Sequence, residues 1–485
     1  MSNKPDSQNR YRTLAGNIVI LGIGQFSSKL LVYVMLKFYT SMLGTSGYGD
    51  MTNLINAGSL LISVFSLSIA EGVLRFALEK NNDGRMVFSI GINIAVCGCV
   101  VFAAFVPLVG LIPMLAGYEW MLFIYVLAGA IKEVCGIFVR ARVSVKLFAV
   151  DGIITTVSMI IFNLLLLGVF NFGINGYLWS VILSNLTSIV FLNIVAKLYK
   201  QYRPLKNDKS LCVSMMSYSI PLMPTTIMWW IINMSDGFMV TYFLGSDSNG
   251  IYGFAYKFPN LAAVVVGIFA QAWHMSAITE RNSRTVSNFY SNIFSMMQTV
   301  VFIACAGIML ILRPFIMPFF GTEAFAPAYF YVPVLLGAVI FQCFNNFLSS
   351  IYEASRKTTH ALISSAIGAA ANIGLNFLMI PVMGILGAAL ATLASYLIVF
   401  IYRVIDTKKL LYMTIYWVKV VVNIILLAGM SLSIMLLEYG LWQNVINAVI
   451  FIVIAAINFK TCVQAVKLIL NKKKEKKDNT NETVS

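Results

Sequence analysis

Three residues with charged or polar side chains, Lys29, Tyr33 and Lys37, recur every four positions in an otherwise apolar segment. In a helix this spacing places all three on one face, about 12 Å from first to last at 1.5 Å per residue. Two ammonium groups attract an anionic ligand and are costly to expose to lipid. The spacing therefore predicts a hydrated, anion-binding cleft lined by these residues. For Lys37, extension of the side chain towards the membrane surface is the alternative.

A pair of opposite charges lies in two later, consecutive apolar segments. Asp236 precedes the glycine at position 245 by nine residues, and Lys257 follows the glycine at position 250 by seven. Two antiparallel helices joined here would hold both groups at a similar depth, roughly 10–14 Å below the turn. The pattern predicts an ion pair, or alternating partners, in a substrate-binding site. A purely structural bridge is the alternative.

Other polar side chains inside apolar segments either line a cleft or hydrogen-bond neighbouring helices, and the second role is favoured. The amides of this kind are Gln342, Asn345, Asn346, Asn372 and Asn376. Lys132 with its neighbour Glu133, and Lys419 near the start of its segment, are interpreted as structural or interfacial charges.

The sequence lacks the motifs of common enzymes. It has no GxxxxGK[ST] phosphate-binding loop and no HExxH zinc motif, and its two histidines are His274 and His360. The seven cysteines form no CxxC pair, which predicts small packing residues. We therefore predict no enzyme activity, no catalytic residue, no metal and no cofactor, with a coupling ion, H+ or Na+, left open.

The composition excludes a soluble protein. Hydrophobic residues make up 59% of the 485 residues and charged residues 11%, whereas soluble domains have about 45–50% and about 25%. This predicts an all-α integral membrane protein with 14 transmembrane helices. The net charge of +15 lies mostly in short loops without stacking aromatic residues, so no nucleic-acid partner is expected.

Apolar runs, charge clusters and Gly or Pro breaks define the predicted spans, each at least near the 20 residues that a bilayer requires. Their approximate bounds are 14–43, 47–72, 86–110, 118–139, 148–170, 174–196, 211–244, 248–278, 286–312, 329–352, 360–381, 385–402, 415–437 and 442–466.

The distribution of lysine and arginine predicts the orientation. Cytoplasmic loops of membrane proteins are rich in both residues. With the N-terminus inside, 28 of the 34 cations fall in tails and inner loops, five fall within spans, and Arg313 falls outside. Both termini are therefore predicted to be cytoplasmic.

Two segments about 201 residues apart share a pattern, TSMLGTSGYG at 40–49 and TYFLGSDSNGIYG at 241–253. They predict two parallel six-helix repeats around a central cleft, followed by two C-terminal helices, an arrangement used for alternating access. The predicted parts are a cytoplasmic N-terminal tail, an N-terminal lobe, a C-terminal lobe, helices 13 and 14, and a basic cytoplasmic tail. Their bounds are 1–13, 14–200, 201–406, 407–470 and 471–485.

Several motifs resemble the central segment of polysaccharide flippases of the multidrug/oligosaccharidyl-lipid/polysaccharide exporter superfamily. They are PLMP at 221–224, NMSD at 233–236, FLG at 243–245 and GIYGFAYK at 250–257. FGTEAF at 320–325 resembles the family's outer loop between helices nine and ten.

The resemblance implies two six-helix bundles that alternate between inward-open and outward-open forms, and a polyprenyl-pyrophosphate-linked oligosaccharide as substrate. Asp236 and Lys257 match the acidic and basic residues of the family's central segment, and Lys29 and Lys37 match its cationic first helix. The implied location is the bacterial inner membrane. The implied partners are membrane lipid and, for cell-envelope or lipopolysaccharide synthesis, a polysaccharide polymerase or glycosyltransferases.

A cation-coupled exporter of drugs or metabolites in the same superfamily is the alternative. That branch is expected to have acidic residues in its first and seventh helices, whereas the first helix here has lysines and no acid. Asp236 keeps this alternative open. A membrane enzyme that polymerises glycans is disfavoured by the short outer loops, and a scaffold leaves the intramembrane lysines unexplained.

Overall fold

The computed structural model describes residues 33–79, 82–203, 208–279, 286–320, 322–355 and 357–481. All regular elements in these ranges are helical, which confirms the predicted all-α fold. Lys29 and the predicted first span up to position 32 lie outside the described residues.

The longer helices in the described ranges are labelled in chain order. They are α1 (Leu36–Phe65), α2 (Ile69–Leu78), α3 (Gly84–Val109), α4 (Glu119–Phe138), α5 (Val145–Asn163), α6 (Gly173–Val195), α7 (Lys209–Ser219), α8 (Met223–Leu244), α9 (Ser246–Thr279), α10 (Val286–Ile311), α11 (Val332–Ala354), α12 (Thr358–Met383), α13 (Ile385–Thr407), α14 (Trp417–Leu436) and α15 (Leu441–Asn481).

The described ranges contain 11 helical segments that are long and apolar enough to cross a bilayer, or up to 12 if the bent pair α1 and α2 forms one span. The protein is thus a multi-pass membrane protein. The predicted count of 14 spans and the division into two six-helix repeats stay predictions.

Glycine interrupts the helices at two positions where the sequence pattern predicts a break. Gly44 (φ 65°) lies within α1, and Gly245 (φ 87°) separates α8 from α9. Both glycines have the left-handed backbone conformation, which a side chain would disfavour. The two predicted breaks therefore also share their backbone handedness.

The second predicted span, 47–72, is not one continuous helix. Leu67 (φ 55°) and Ser68 (φ 50°) are left-handed, and α1 and α2 meet there at 56°. The bend packs closely against α3, since a Cβ built on Gly98 would lie 1.6 Å from the carbonyl oxygen of Phe65. The missing side chain of Gly98 admits the backbone at the bend, which no local sequence pattern indicates.

The described residues form two compact units. The first comprises residues up to Phe254 with Phe320–Ala326 and Ser365–Thr392, and its core includes Leu54 and Phe102. The second comprises Ala255–Phe319, Pro327–Ser364 and the residues from Leu393 onwards. In this unit rings of α10 and α11 pack together, with the centroids of Phe294 and Phe344 5.2 Å apart. Burial of such aromatic faces stabilises each unit internally.

The predicted orientation is testable with single cysteines in a cysteine-free background. Tyr439→Cys lies between α14 and α15, and Lys408→Cys follows α13; both native side chains are exposed. An impermeant thiol reagent added to intact cells should label the first variant and spare the second until the membrane is permeabilised. The reverse labelling pattern would refute cytoplasmic termini.

Candidate functional site

Asp236 lies at the centre of a buried polar cluster in the first unit. Asp236 belongs to α8 and is 1% exposed. A carboxyl group at this burial requires hydrogen-bond donors, because removing a charge from water is otherwise strongly unfavourable. Four donors from three other helices meet this requirement.

The donors divide evenly between the two carboxylate oxygens. Tyr252 Oη donates to Oδ2 of Asp236 at 2.8 Å, and Thr392 Oγ1 donates to the same oxygen at 2.5 Å. Asn372 Nδ2 donates to Oδ1 at 3.0 Å, and Asn376 Nδ2 donates to Oδ1 at 2.6 Å. The cluster therefore joins α8 to α9, α12 and α13 through one side chain.

Helical spacing explains why α12 supplies two of the donors. Asn372 and Asn376 are four residues apart, so their side chains lie on the same face, one turn from each other. Asn372 Oδ1 also accepts a hydrogen bond from Ser235 Oγ at 3.2 Å. Asn376 Oδ1 is buried and has no hydrogen-bond partner in the described part of the chain. One acceptor oxygen beside the carboxylate is therefore unused.

The electrostatics of this cluster favour a small cation. All four donors are neutral groups, which stabilise a carboxylate but do not cancel its charge. Carboxylate, amide and hydroxyl oxygens are the ligands of hard cations, and rotation of an asparagine amide exchanges its nitrogen for its oxygen. No group of three His, Cys, Asp or Glu that could hold a metal occurs among the described residues. With one carboxylate and amide and hydroxyl oxygens beside it, the cluster has the ligand types that could hold a proton or a monovalent cation.

The other predicted site residues do not all fall in this cluster. Lys29 lies outside the described residues, Tyr33 is half-buried, and Lys37 is exposed on α1. Lys257 is half-buried on α9 and belongs to the second unit, whereas Asp236 belongs to the first. Their predicted pairing stays a prediction.

The partners of Asp236 were only partly anticipated. Asn372 and Asn376 were expected to line a cleft or to join helices, and both hydrogen-bond to Asp236. In the sequence, Tyr252 is identified only as part of the motif at 250–257, and no sequence pattern indicates a role for Thr392. Hydroxyl residues are common in membrane helices, so a single threonine in α13 does not stand out in the sequence.

A second feature of the first unit is a close backbone approach between α1 and α9. A Cβ built on Gly49 would lie 2.1 Å from the carbonyl oxygen of Ser246, and one built on Gly250 would lie 1.9 Å from that of Thr45. The two contacts are reciprocal, because Ser246 and Gly250 follow Thr45 and Gly49 by 201 residues each. Only glycine permits this approach at both positions.

Side-chain hydrogen bonds stabilise the same contact, which we call the α1–α9 contact. Thr45 Oγ1 donates to Asp247 Oδ1, and Ser246 Oγ donates to Asp50 Oδ1. Asn249 Nδ2 donates to the carbonyl oxygen of Gly49 at 2.9 Å. According to the predicted orientation, the α1–α9 contact lies at the outer end of the helices.

Phe325 of the FGTEAF motif packs in the first unit near this contact. It is fully buried, with its ring centroid 5.6 Å from that of Tyr48 and 5.1 Å from that of Phe254. Tyr48 directly precedes Gly49 in the sequence, so the motif supports the helix that makes the α1–α9 contact.

The chain matches the family described as polysaccharide biosynthesis protein over residues 14–274. This range is more than half of the 485 residues, so the chain belongs to that family. The predicted resemblance is confirmed at this level. No curated protein matches the sequence.

Solved structures of the same fold include a lipid II flippase MurJ in an inward closed conformation. It is 16% identical with a TM-score of 0.67, over 92% of this chain and 100% of that chain. An inward-facing multidrug resistance MATE family transporter of the MOP superfamily is 12% identical with a TM-score of 0.61, over 80% and 98%. An outward-facing one is 14% identical with a TM-score of 0.57, over 82% and 96%. The protein thus has the fold shared by this flippase and these transporters.

Proposed function

We propose that the protein is a flippase that moves a polyprenyl-pyrophosphate-linked oligosaccharide, a cell-envelope polysaccharide precursor, from the inner to the outer leaflet by alternating access. Membership of the polysaccharide biosynthesis family over residues 14–274 carries this proposal. The fold similarity to a lipid II flippase supports a lipid-linked substrate. The protein acts as a transporter and not as an enzyme.

Basic side chains recruit the substrate in this proposal. Lys29, Lys37 and Lys257 attract the pyrophosphate, and Tyr33 lies between the first two on the same helix face. The sugar crosses through a hydrated cleft while the polyprenyl chain stays in lipid. The side chain of Lys37 is exposed on α1.

Lys29→Ala should impair translocation, whereas Lys29→Arg should retain part of it, because a cation that attracts phosphate need not keep its shape. The measurement is translocation of a fluorescent polyprenyl-pyrophosphate sugar in liposomes that contain the purified variant. Lys408→Ala, which removes an exposed cation after α13, is the control and should transport normally. Normal transport by Lys29→Leu would contradict the role in attracting the anion.

Asp236 is proposed to bind the coupling cation, H+ or Na+. Its four neutral donors leave the carboxylate charge uncancelled, and the unused oxygen of Asn376 provides a further ligand.

A cation-coupled exporter of drugs or metabolites is the second candidate, and the Asp236 cluster is the observation that favours it. The two candidates differ in the sign of the transported charge. Liposomes with purified protein should translocate the pyrophosphate-linked sugar and should not extrude cationic dyes. Dye efflux without sugar translocation would replace the flippase proposal with the exporter.

The same proposal covers location and partners. The protein lies in a bacterial inner membrane with both termini in the cytoplasm. Its substrate comes from glycosyltransferases on the inner face, and a polysaccharide polymerase uses the flipped product.

A further inference from the structure

Lys419 forms a polar cluster in the second unit, apart from the Asp236 site. Its ammonium Nζ donates to Thr461 Oγ1 at 2.9 Å and to Thr299 Oγ1 at 3.1 Å. Asn458 accepts from the hydroxyl of Thr299 at 3.2 Å and donates to the amide oxygen of Asn423 at 2.8 Å. We call these five residues, from α10, α14 and α15, the Lys419 cluster. The hydrogen bonds hold the ammonium against the helices instead of leaving it extended into water.

No carboxylate pairs with Lys419 in the described part of the chain. Its hydroxyl partners are neutral, so they orient the ammonium without cancelling its charge. Lys419 is also the third residue of α14, where the helix dipole adds further positive potential. The cluster therefore has a net positive charge and a field that favours an anion.

Arg313 shows how this chain stabilises a cation without an anion. Its guanidinium donates to the carbonyl oxygen of Leu437 at 3.0 Å and to Gln443 Oε1 at 3.1 Å, and it stacks 3.8 Å from the ring centroid of Tyr329. Ring faces and carbonyl dipoles stabilise positive charge. Within the described residues, the ammonium group of Lys419 instead donates to two threonine hydroxyls.

The length of α15 predicts that the Lys419 cluster lies at a membrane boundary. Thr461 is 20 residues from Leu441 at the start of α15, or about 30 Å along a helix, which equals the hydrocarbon thickness of a bilayer. Exposed aromatic side chains, which favour the headgroup region, precede Lys419 by three and two residues, at Tyr416 and Trp417. According to the predicted orientation, this boundary belongs to the inner leaflet.

The cluster is partly exposed in the described part of the chain. Lys419 and Thr461 are half-buried, and Lys460, beside Thr461, is exposed. Two of the three ammonium hydrogens of Lys419 are used by the two threonines, which leaves one for an external acceptor.

We propose that the Lys419 cluster binds the phosphate of an anionic phospholipid of the inner leaflet. The third ammonium hydrogen of Lys419 donates to a phosphate oxygen, Lys460 adds a second positive charge at the surface, and Tyr416 and Trp417 pack against the headgroup region. The proposal concerns the bilayer lipid and is independent of the transported substrate.

The test compares lipid retention by native mass spectrometry after extraction from nanodiscs of mixed phosphatidylglycerol and phosphatidylcholine. Lys419→Met should retain phosphatidylglycerol about tenfold more weakly than the unaltered protein, the size expected for one charge-assisted hydrogen bond. Thr461→Val, which removes a hydroxyl that positions the ammonium, should weaken retention in the same direction. Lys408→Met is the matched control and should retain phosphatidylglycerol normally, because Lys408 is exposed and lies outside the cluster.

A second arm separates lipid phosphate from free phosphate. Inorganic phosphate at millimolar concentration should neither displace phosphatidylglycerol nor raise the melting temperature of protein in pure phosphatidylcholine. A melting temperature raised by inorganic phosphate and dependent on Lys419 would overturn the lipid assignment. The lipid assignment would also be overturned if Lys419→Met retained as much phosphatidylglycerol as the unaltered protein. The same holds if Lys419→Met and Lys408→Met both retained less of it by the same factor. If Lys419→Met does not fold, Thr461→Val decides the question by the same criterion.

Discussion

Asp236→Asn should reduce transport to near background while the protein still reaches the membrane. The substitution keeps the volume of the side chain and removes the charge that four neutral donors surround. Without the carboxylate charge no ionised group in the cluster attracts a coupling cation, so the affinity for that cation should fall at least tenfold, a factor that corresponds to about 1.4 kcal/mol. Transport in liposomes under an imposed H+ or Na+ gradient measures the effect.

Asp151→Asn is the matched control for this experiment. Asp151 is also a buried aspartate of the first unit, 2% exposed, and it accepts a hydrogen bond from Ser188 at 2.7 Å. Its substitution changes a buried charge in the same way but lies outside the Asp236 cluster. We expect Asp151→Asn to transport at a rate proportional to its amount in the membrane. Normal, gradient-driven transport by Asp236→Asn would remove Asp236 from the coupling mechanism.

Cross-linking the α1–α9 contact should stop transport reversibly. Thr45 and Asp247 are hydrogen-bonded side chain to side chain, so the pair Thr45→Cys and Asp247→Cys in a cysteine-free background is placed to form a disulfide. If the predicted outer ends of α1 and α9 must separate for substrate release, the disulfide formed on oxidation holds the protein in its closed form. Substrate translocation should then fall to background and return when dithiothreitol reduces the bond.

Each single cysteine variant, treated with the same oxidant, is the control and should keep its transport rate. A larger side chain at Gly250 provides an independent check, because a Cβ there would lie 1.9 Å from the carbonyl oxygen of Thr45. Gly250→Val should therefore disfavour the closed contact and lower transport without a disulfide. Full transport by the oxidised double-cysteine variant, with the disulfide verified by mass spectrometry, would show that the α1–α9 contact does not open in the cycle.

The sequence by itself determined the helical class of the fold, the membrane environment and the position of Asp236 as a charge inside an apolar segment. Composition sets the first two, because a chain with 59% hydrophobic residues has to place most of them in lipid or in helix contacts. Asp236 stood out because charges are rare and costly inside apolar segments. The helix breaks at Gly44 and Gly245 could also be predicted from the sequence, because a left-handed backbone conformation favours glycine at that position.

The tertiary structure alone decided which groups meet. Asn372, Asn376 and Thr392 reach Asp236 from 136, 140 and 156 residues away. Helical periodicity tells which residues share a face of one helix, but it does not tell which helices that face contacts.

The close approach of the bend to α3 likewise requires a glycine at position 98 of that neighbouring helix, and the partners of Lys419 come from two other helices. In each case the deciding contact joins residues distant in sequence, whose approach depends on the packing of whole helices.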